Sequence, residues 1–548
     1  MNAAIYFHSE AYSTNGPKLM GRNAAGESFI RAFLIKNSHV DNHIYIEDRN
    51  SLNSFQKLTT QLNCTQSFKY ISRNNHNHLA QLGALFYPGP NISRFSLLRN
   101  FFGHNKWSIT GITHTTSSAG AMDSIAELLT SPIHPWDALI CTSNSVKSTV
   151  EKILDAQFNF LKSHLGASKV SLPQLPVIPL GVNLDDFSFT QNEIIEARNH
   201  LNIDNDSIVV LYVGRLSFHA KAHPLAMYQA LELSSRKVDV PIVLIECGWY
   251  ANQSIADSFA EAARKFCPSV KVIHLDGRIP ENRNLAWSSA DIFCSLPDNI
   301  QETFGIVPIE AMAAGLPVVV SDWDGYKDTV RDEIDGFRIP TLIPEPGLGA
   351  DLAQRYSLDI DTYDMYCGYT SSLISVDVLS ASRAFTKLIQ SPSLREAMGA
   401  SGFKRAKELY DWSIIYKKYE LLWADLDTIR NKSESNDVYL KSWPGRVNPF
   451  QGFSSYASSQ LSLNSKLGLV EDDLEGIFDR YISINDLKMV SFAAYILPTN
   501  EEVKCIFNNL SHGEMVARDL LSSFEINRRP YILRMLVWLI KLNFIKLV

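Results

Sequence analysis

The hydrophobic pattern consists of short, continuous apolar runs that alternate with longer segments of helical character. Eight of these runs are typical of strands buried on both faces: residues 3–7, 138–142, 177–180, 208–213, 242–247, 270–275, 291–295 and 317–321. Buried strands separated by helix-length segments predict βαβ units and parallel sheets. Because a polar, helix-like stretch at 191–202 separates two series of strands, we expect two Rossmann-like domains hinged near 181–205, with a ligand cleft between them.

The last part of the chain changes character twice. Helical periodicity closes the second domain between residues 379 and 426, and the composition then turns to Ser, Asn, Pro and Gly, which is typical of a linker. Helical patterning returns after residue 466 and is followed by a short final strand. This arrangement of helices and a strand resembles a winged helix. The predicted organisation is α/β, with Rossmann-like domains at 1–184 and 185–427, a linker at 428–466 and a small, mainly helical domain at 467–548.

Composition limits the class of protein. The 548 residues exceed the roughly 250 to 300 that one core organises, and the formal net charge of −7 argues against a protein that coats nucleic acid. The seven cysteines are scattered and form no CxxC pair, which predicts reduced thiols rather than disulfides or a zinc site. We find no signal-peptide pattern and no run of 18 apolar residues, so we expect a cytoplasmic protein without a membrane-spanning helix.

The segment 301–325 carries the strongest chemical signal. It follows a strand, contains Gly305 in a loop, and predicts a helix that begins with Pro308 near its first position. A helix N-terminus at the carboxyl end of a strand, preceded by a glycine, predicts an anion site, and a diphosphate is the group we expect there. Glu310 lies about one turn into the helix, where its carboxylate can accept hydrogen bonds from a ribose. The alternatives are a dipole-complementing role for Glu310 and plain solvation for Glu302 in the loop.

Taken together, the spacing of Glu302 and Glu310 around a Phe-Gly pair resembles the EX7E signature of the retaining family-four glycosyltransferases of the GT-B fold. In that family the second glutamate holds the nucleotide ribose and the first contacts the donor sugar. The loop amides after the Phe-Gly pair meet the diphosphate. The resemblance therefore implies donor-binding roles for six residues of this segment: Glu302, Phe304, Gly305, Ile306, Val307 and Glu310.

Other motifs extend the resemblance over residues 1–427. Arg215, in Val-Gly-Arg-Leu-Ser, and Lys221 resemble the family's Gly-Arg-Leu motif with its downstream lysine, two cations that neutralise the donor diphosphate without a metal. Lys221 lies one position further along than the commonest family spacing, so the alternative is a solvated surface lysine. Arg278 lies in the loop that resembles the one bracketing the nucleobase. His114 resembles the family's histidine near the donor sugar, with an ordinary loop histidine as the alternative.

Gly26 completes the predicted donor site. It lies in a Gly-containing turn leading into a helix, which resembles the family's loop facing the donor phosphates. The alternative is ordinary turn chemistry at a helix start.

The resemblance implies an enzyme that transfers a sugar, with retention, from a UDP-, GDP- or ADP-sugar to a glycan, glycolipid or lipid-linked acceptor. It implies no cofactor and no metal, and it implies catalytic roles for Glu302, His114, Arg215 and Lys221. Two alternatives remain open: a nucleotide-sugar epimerase of the same fold, and a catalytically silent subunit of a glycan-assembly complex. For residues 467–548 we expect a protein partner or a homodimer contact, not nucleic acid. A peripheral position at the inner face of a membrane is a further option.

Overall fold

Two six-stranded parallel sheets dominate the computed structural model, which describes residues 3–12, 21–36, 42–433 and 442–548. The chain divides into two compact units, 1–441 and 442–548. Both parallel sheets belong to the first unit, and we call them, with their helices, the N-lobe and the C-lobe. The predicted α/β class with two Rossmann-like sheets is therefore confirmed.

The N-lobe sheet has the strand order β3-β2-β1-β4-β5-β6, with every neighbouring pair parallel. Its elements are β1 (Ala4–Tyr6), α1 (Ser9–Tyr12), α2 (Gly21–Lys36), β2 (Asn42–Ile46), α3 (Arg49–Gln61), β3 (Phe68–Ser72), α4 (His76–Leu82), β4 (Ala84–Phe86), α5 (Ser93–Arg99), β5 (Ser108–Ile112), α6 (Ala119–Ala126), β6 (Ala138–Ile140) and α7 (Asn144–Leu165). A 3-10 helix at Leu184–Phe187 follows on the way to the C-lobe.

The C-lobe sheet has the order β12-β11-β10-β7-β8-β9, again all parallel. Its elements begin with α8 (Gln191–His200), β7 (Ile208–Val213), α9 (Leu225–Ser235), β8 (Ile242–Gly248), α10 (Gln253–Phe266), β9 (Lys271–Asp276), α11 (Pro280–Ser289), β10 (Ile292–Ser295), α12 (Ile306–Ala313), β11 (Val318–Ser321), α13 (Tyr326–Thr329) and β12 (Gly336–Ile339). They continue with β13 (Thr341–Leu342), α14 (Ala350–Ser357), α15 (Tyr363–Ser371), β14 (Ser375–Val376), α16 (Val378–Gln390), α17 (Pro392–Leu409) and α18 (Trp412–Asn431).

The last helix of the first unit returns to the N-lobe. Trp412 begins α18, and its ring lies so close to Gly181 that a Cβ on that glycine would be 2.4 Å from a ring carbon. The rings of Trp412 and Tyr419 pack against Phe29 of α2, at centroid distances of 5.8 and 5.5 Å. Because aromatic side chains of α18 are buried in the same core as residues of both sheets, this helix ties the two lobes together.

The second unit is a small helical domain around a three-stranded antiparallel sheet of order β16-β15-β17. Its elements are α19 (Pro449–Gly452), β15 (Lys466–Leu469), α20 (Leu474–Asn485), α21 (Lys488–Ser491), α22 (Asn500–Leu510), β16 (Met515–Val516), α23 (Ala517–Leu521), α24 (Arg529–Lys541) and β17 (Ile545–Leu547). The helical pattern and the terminal strand expected after residue 466 are present. Of the predicted linker, residues 434–441 lie outside the described residues, and its first residues belong to α18.

The strand predicted at residues 177–180 is wrong. The backbone N–H of Ile178 donates to the carbonyl oxygen of Cys141 at 3.0 Å, but only an isolated bridge joins Val177 to Cys141. Pro176 precedes this segment and Pro179 lies within it, and since neither carries an N–H, a regular ladder cannot continue there. Among the described residues, no helix is both long enough and apolar enough to cross a membrane.

Candidate functional site

The N-terminus of α12 is shaped by Gly305. This residue caps the helix with φ 74° and ψ 74°, a left-handed conformation that favours glycine, and a Cβ there would lie 1.6 Å from a ring carbon of Tyr326. No side chain of the described residues caps the helix, so the first amides, those of Ile306 and Val307, have no intrahelical partner and can donate to a ligand. Pro308 is the third helical residue rather than the first as predicted. This geometry is compatible with an anion at the helix N-terminus, and the anion site stays a prediction.

Phe304 supports this turn from within the core. Its side chain is buried, and its ring lies 6.4 Å from the ring of Tyr410. Gly325 packs against the backbone of Phe304, because a Cβ on this glycine would lie only 2.5 Å from the Phe304 carbonyl oxygen. The buried side chain of Phe304 therefore fixes the loop, and a ligand contact of this side chain is not expected.

Lys221 and Glu302 form an ion pair. The Nζ atom lies 2.5 Å from Oε2, and the two side chains are 19% and 9% exposed. Lys221 is thus not a solvated surface lysine, and Glu302 is not a solvated loop carboxylate. The pair joins the loop after β7 to the loop before α12.

Arg215 follows β7 and has neutral partners. Its Nη2 donates to Gln301 Oε1 at 2.8 Å and to the Ala220 carbonyl oxygen. Among the described residues, no carboxylate forms an ion pair with Arg215, so its positive charge is not offset locally. An anion near Gln301 would meet that charge directly.

Glu310 is a partly buried carboxylate to which no described residue donates a hydrogen bond. Burial raises its pKa to about 7, Arg283 acts in the opposite direction, and Asp186 raises it further. A carboxylate with free acceptor positions suits a ligand that presents hydroxyl groups.

Sequence reasoning missed the ionisable groups that act on Glu310, namely Arg283 and Asp186, and the charged residues that interact with them. Arg31 of α2 forms an ion pair with Asp186, and Arg283 donates to the Gly277 carbonyl oxygen at 2.7 Å. Burial raises the pKa of Glu27, and Arg31 opposes this effect. These residues lie on α2, a 3-10 helix and α11, so only the tertiary fold brings them together, and no spacing in the sequence signals it.

Arg278 lies after β9, two strands away from β7 at the same carboxyl edge of the sheet. Three hydrogen bonds tie its guanidinium to Asp276: Nη2 lies 2.7 Å from Oδ2, and Nε lies 3.0 Å from Oδ1 and 3.2 Å from Oδ2. Its charge is therefore offset, unlike that of Arg215. The guanidinium carbon also lies 6.0 Å from the centre of the Trp249 ring.

His114 follows β5 at the edge of the N-lobe. Thr303, the residue after Glu302, donates from Oγ1 to the His114 carbonyl oxygen at 3.2 Å. Ser143 donates to the Thr303 carbonyl oxygen at 2.8 Å. The structure thus brings the predicted residue of the first domain next to the glutamate loop of the second.

Gly26 does not begin a helix, and that prediction is wrong. It is the sixth residue of α2, where a Cβ would lie 2.1 Å from the carbonyl oxygen of Ala11. Close packing of α2 against α1 explains the glycine. Leu19 and Met20 of the predicted turn lie outside the described residues.

Comparison with known proteins agrees with this geometry. Residues 193–344 match the family model described as glycosyl transferases group 1. The chain is 31% identical over 156 residues to D-inositol 3-phosphate glycosyltransferase of Rhodococcus erythropolis, covering 28% of this chain and 35% of that protein. It is 26% identical over 239 residues to phosphatidyl-myo-inositol mannosyltransferase of Mycobacterium tuberculosis, covering 43% and 50%. The chain spans half or less of the length of these relatives.

The structure resembles that of Anabaena HepE in complex with UDP. The TM-score is 0.51 at 13% identity, over 77% of this chain and 100% of that one. This likeness, with the two parallel sheets, confirms the predicted GT-B fold. The match of residues 193–344 to the group 1 glycosyl transferases confirms the family resemblance seen in the sequence.

Proposed function

We propose that the protein is a retaining, metal-independent glycosyltransferase that moves a sugar from a nucleoside-diphosphate sugar to a hydroxyl of a glycan, glycolipid or other glycoconjugate. The observation that carries the proposal is the positive charge of Arg215, which no described carboxylate offsets, next to the uncapped N-terminus of α12. Fixed cations and backbone amides stabilise the charge that grows on a diphosphate leaving group.

Most of the predicted site residues have a place in this proposal. Glu310 accepts hydrogen bonds from the ribose hydroxyls, supported by its lack of a described donor. The amides of Ile306 and Val307 and the cations of Arg215 and Lys221 hold the diphosphate, supported by their shared position before α12.

The remaining predicted residues flank these groups. Arg278 brackets the nucleobase from the end of β9. His114 and Glu302 meet the transferred sugar, supported by the contact between their loops. Gly26 is left with close packing rather than phosphate contact.

Retention is what the family resemblance implies, and the ion pair of Glu302 argues against a role of this carboxylate as nucleophile. The carboxylate is paired with Lys221 at 2.5 Å, which offsets its charge and makes it a poor nucleophile. The reaction then proceeds on one face of the sugar: the bond from C1 to the phosphate oxygen breaks, the acceptor oxygen bonds to C1, and the acceptor proton passes to the departing phosphate. No covalent enzyme intermediate is needed.

Nucleotide binding tests the phosphate site. We expect Arg215→Ala to weaken binding of the matching nucleoside diphosphate, among UDP, GDP and ADP, by at least about tenfold, and to leave binding of the nucleoside unchanged. Isothermal calorimetry on both ligands measures this. Arg236→Ala is the matched control, because that arginine lies in the same lobe, is 67% exposed and pairs with Glu232. Equal losses for diphosphate and nucleoside would contradict the phosphate role.

Product analysis tests the reaction. The nucleotide sugar that binds is incubated with simple glycoside acceptors in EDTA, and the anomeric configuration of the product is read by NMR. We expect transfer with retention. Inversion, or transfer that stops in EDTA, would contradict the proposed mechanism. Interconversion of the donor sugar without transfer would favour the epimerase, and binding without turnover would favour the silent subunit.

For residues 467–548 we propose a contact with another protein or with a second copy of the chain. Three large apolar side chains near α21 support it: Met489, Phe492 and Tyr495 are 76%, 83% and 98% exposed. Analytical ultracentrifugation of the full chain, beside a Phe492→Ser and Tyr495→Ser double variant, tests self-association. A variant that still forms the same dimer would place the contact elsewhere.

A further inference from the structure

The C-lobe carries a helical excursion between β13 and β14, residues 343–374. The two strands pair antiparallel, Thr341 with Val376 and Leu342 with Ser375, and so close the neck of the excursion. Within it, Arg355 holds Asp361 through two hydrogen bonds of 2.8 Å. The excursion is thus an ordered structure, and it begins where the family match ends, at residue 344.

The excursion of the C-lobe contacts the N-lobe. The Tyr356 hydroxyl accepts a hydrogen bond from the Ala119 amide at 2.8 Å. The Tyr363 hydroxyl lies 3.0 Å from Ser117 Oγ and 3.5 Å from Thr115 Oγ1. These contacts place two tyrosines of the excursion on the loop between β5 and α6.

This contact lies at the reacting end of the proposed site. The loop that receives Tyr363 contains His114, whose carbonyl oxygen accepts a hydrogen bond from Thr303, the residue after Glu302. On the other side, α15 packs on the loop between Arg215 and Lys221, where a Cβ on Gly368 would lie 2.9 Å from the Cβ of His219. The cluster of Thr115, Ser117, Tyr363 and Cys367 therefore lies between the loop that contains His114 and the loop that joins Arg215 to Lys221.

The chemistry of the cluster is neutral and hydroxyl-rich. It contains the hydroxyls of Thr115, Ser117 and Tyr363 and the buried thiol of Cys367. Burial raises the pKa of Tyr363 to about 12 and that of Cys367 to about 11, so both are protonated near neutral pH. Hydroxyl groups donate and accept hydrogen bonds, as the hydroxyls of a sugar do.

We propose that Tyr363 and Ser117 form a specificity-determining hydroxyl pair, supplied jointly by the excursion and the N-lobe, that binds the hydroxyls of a pyranose at the reacting end. This inference rests on the proposed function, since it assigns a subsite of the same cleft. The pyranose belongs either to the donor or to the acceptor, and the experiment separates the two.

The test compares Tyr363→Phe and Ser117→Ala with Tyr369→Phe. Tyr369 is the matched control because it lies on the same helix, is 40% exposed, and makes no hydrogen bond through its hydroxyl to a described residue. Calorimetry measures the affinities for UDP and UDP-glucose, GDP and GDP-mannose, and ADP and ADP-glucose. Melting temperatures of the variants check that the fold is intact, and the Ser117→Ala variant serves if Tyr363→Phe is unstable.

We expect a loss of about tenfold that is confined to the sugar. If the pyranose is the donor's, both variants weaken the nucleotide sugar and leave the nucleoside diphosphate unchanged. If it is the acceptor's, donor affinity stays unchanged and KM rises for transfer to methyl glucoside or methyl mannoside, while hydrolysis of the donor by water is unaffected. The control variant changes neither.

Two results overturn the inference. Equal weakening of nucleoside diphosphate and nucleotide sugar would indicate a general structural role, and variants that match the wild type in donor affinity and in transfer would remove the pair from the site. Failure of the proposed function looks different: the wild-type protein itself would bind none of the six nucleotides, and the inference would fall with it.

Discussion

At the scale of single residues, burial controls the ionisation of two carboxylates in the C-lobe. Burial raises the pKa of Glu246 and of Glu310 to about 7. Because each holds its proton more tightly in the folded than in the unfolded chain, its ionisation costs stability. Stability from these groups therefore falls as pH rises from the unfolded pKa, about 4.3, to about 7, and levels off above it.

Glu246 allows a test of this cost away from the ligand site. It is 2% exposed and accepts a hydrogen bond of 2.5 Å from the Tyr228 hydroxyl. Glu246→Gln keeps an acceptor oxygen and cannot ionise, so we expect its free energy of unfolding to fall less between pH 5.5 and pH 8 than that of the wild type, by about 2 kcal/mol. Urea denaturation at the two pH values measures the difference.

Glu261→Gln is the control for this prediction. Its hydrogen bond from Lys265 lowers the pKa of Glu261, so this exposed carboxylate titrates below pH 5.5. The control variant should follow the wild type. A Glu246→Gln variant with the wild-type pH dependence would show that Glu246 is ionised in the folded protein without cost.

Glu310 predicts a pH-dependent preference for ribose. If its ionised carboxylate accepts hydrogen bonds from ribose hydroxyls, the affinity ratio of a nucleoside diphosphate to its 2′-deoxy form should rise about tenfold from pH 6 to pH 8. Phosphate titration cancels in this ratio. Glu310→Gln should flatten the ratio, and calorimetry at both pH values measures it. A ratio independent of pH in the wild-type protein would contradict the ribose assignment.

The residues that sequence reasoning found differ in kind from those it missed. Glu302 and Arg215 stand in local motifs after strands, and a motif can be recognised from spacing alone. Tyr363 and Ser117 meet only because an excursion of one lobe reaches a loop of the other. Gly26 was misjudged because a glycine required by helix packing and one required by a turn look the same in a sequence.

At the scale of elements, α12 is bounded by two glycines that make a matched pair. Gly305 and Gly315 have φ of 74° and 73°, but a Cβ on Gly305 would meet the buried ring of Tyr326 at 1.6 Å, whereas Gly315 faces open space. Gly315→Ala should cost about 1 kcal/mol for the left-handed backbone alone. Gly305→Ala should cost at least about 3 kcal/mol and weaken nucleotide binding, because the ring or the helix N-terminus must move.

Urea denaturation and calorimetry on the two alanine variants check this prediction. The fold should survive Gly315→Ala with unchanged nucleotide affinity. Equal costs at the two positions would show that the ring of Tyr326 adjusts freely, and that the shape of the turn is not what positions the amides of α12.

Five of the six strands of the C-lobe sheet were predicted, including the edge strand β9, whereas β2 and β4 of the N-lobe were not, although most of their residues are buried. β7 and β8 lie between neighbouring strands in the centre of their sheet, and their residues form continuous apolar runs. β3 was not predicted, because it is an edge strand in which only Ile71 is buried and so shows no apolar run. β12 also lies at an edge and begins at Gly336, where the pattern offers little signal.

At the scale of the whole molecule, the two units keep separate cores. Three clusters of buried apolar residues lie within 1–441, and a fourth lies within 442–548 around Leu467, Tyr481 and Leu536. No cluster of the described residues mixes side chains from both units. Because burial of apolar surface provides most of the driving force for folding, each unit contains what it needs to fold alone.

Dividing the chain tests this independence. We expect a protein ending at Ser433 to bind the nucleoside diphosphate with wild-type affinity, and a fragment of residues 442–548 to unfold cooperatively by itself. Calorimetry and thermal denaturation by circular dichroism measure the two. A chain ending at Leu409 is the control: it lacks α18, whose Trp412 and Trp423 are buried in the core that joins both sheets.

The control should lose both cooperative unfolding and nucleotide binding, because removing buried tryptophans leaves a large cavity in that core. If the chain ending at Ser433 also lost binding, while the chain remained folded, the second unit would be part of the donor site rather than an attachment to it. If the isolated fragment stayed unfolded, its core would depend on the rest of the chain, and the contact proposed for its exposed apolar residues would have to be sought within the protein itself.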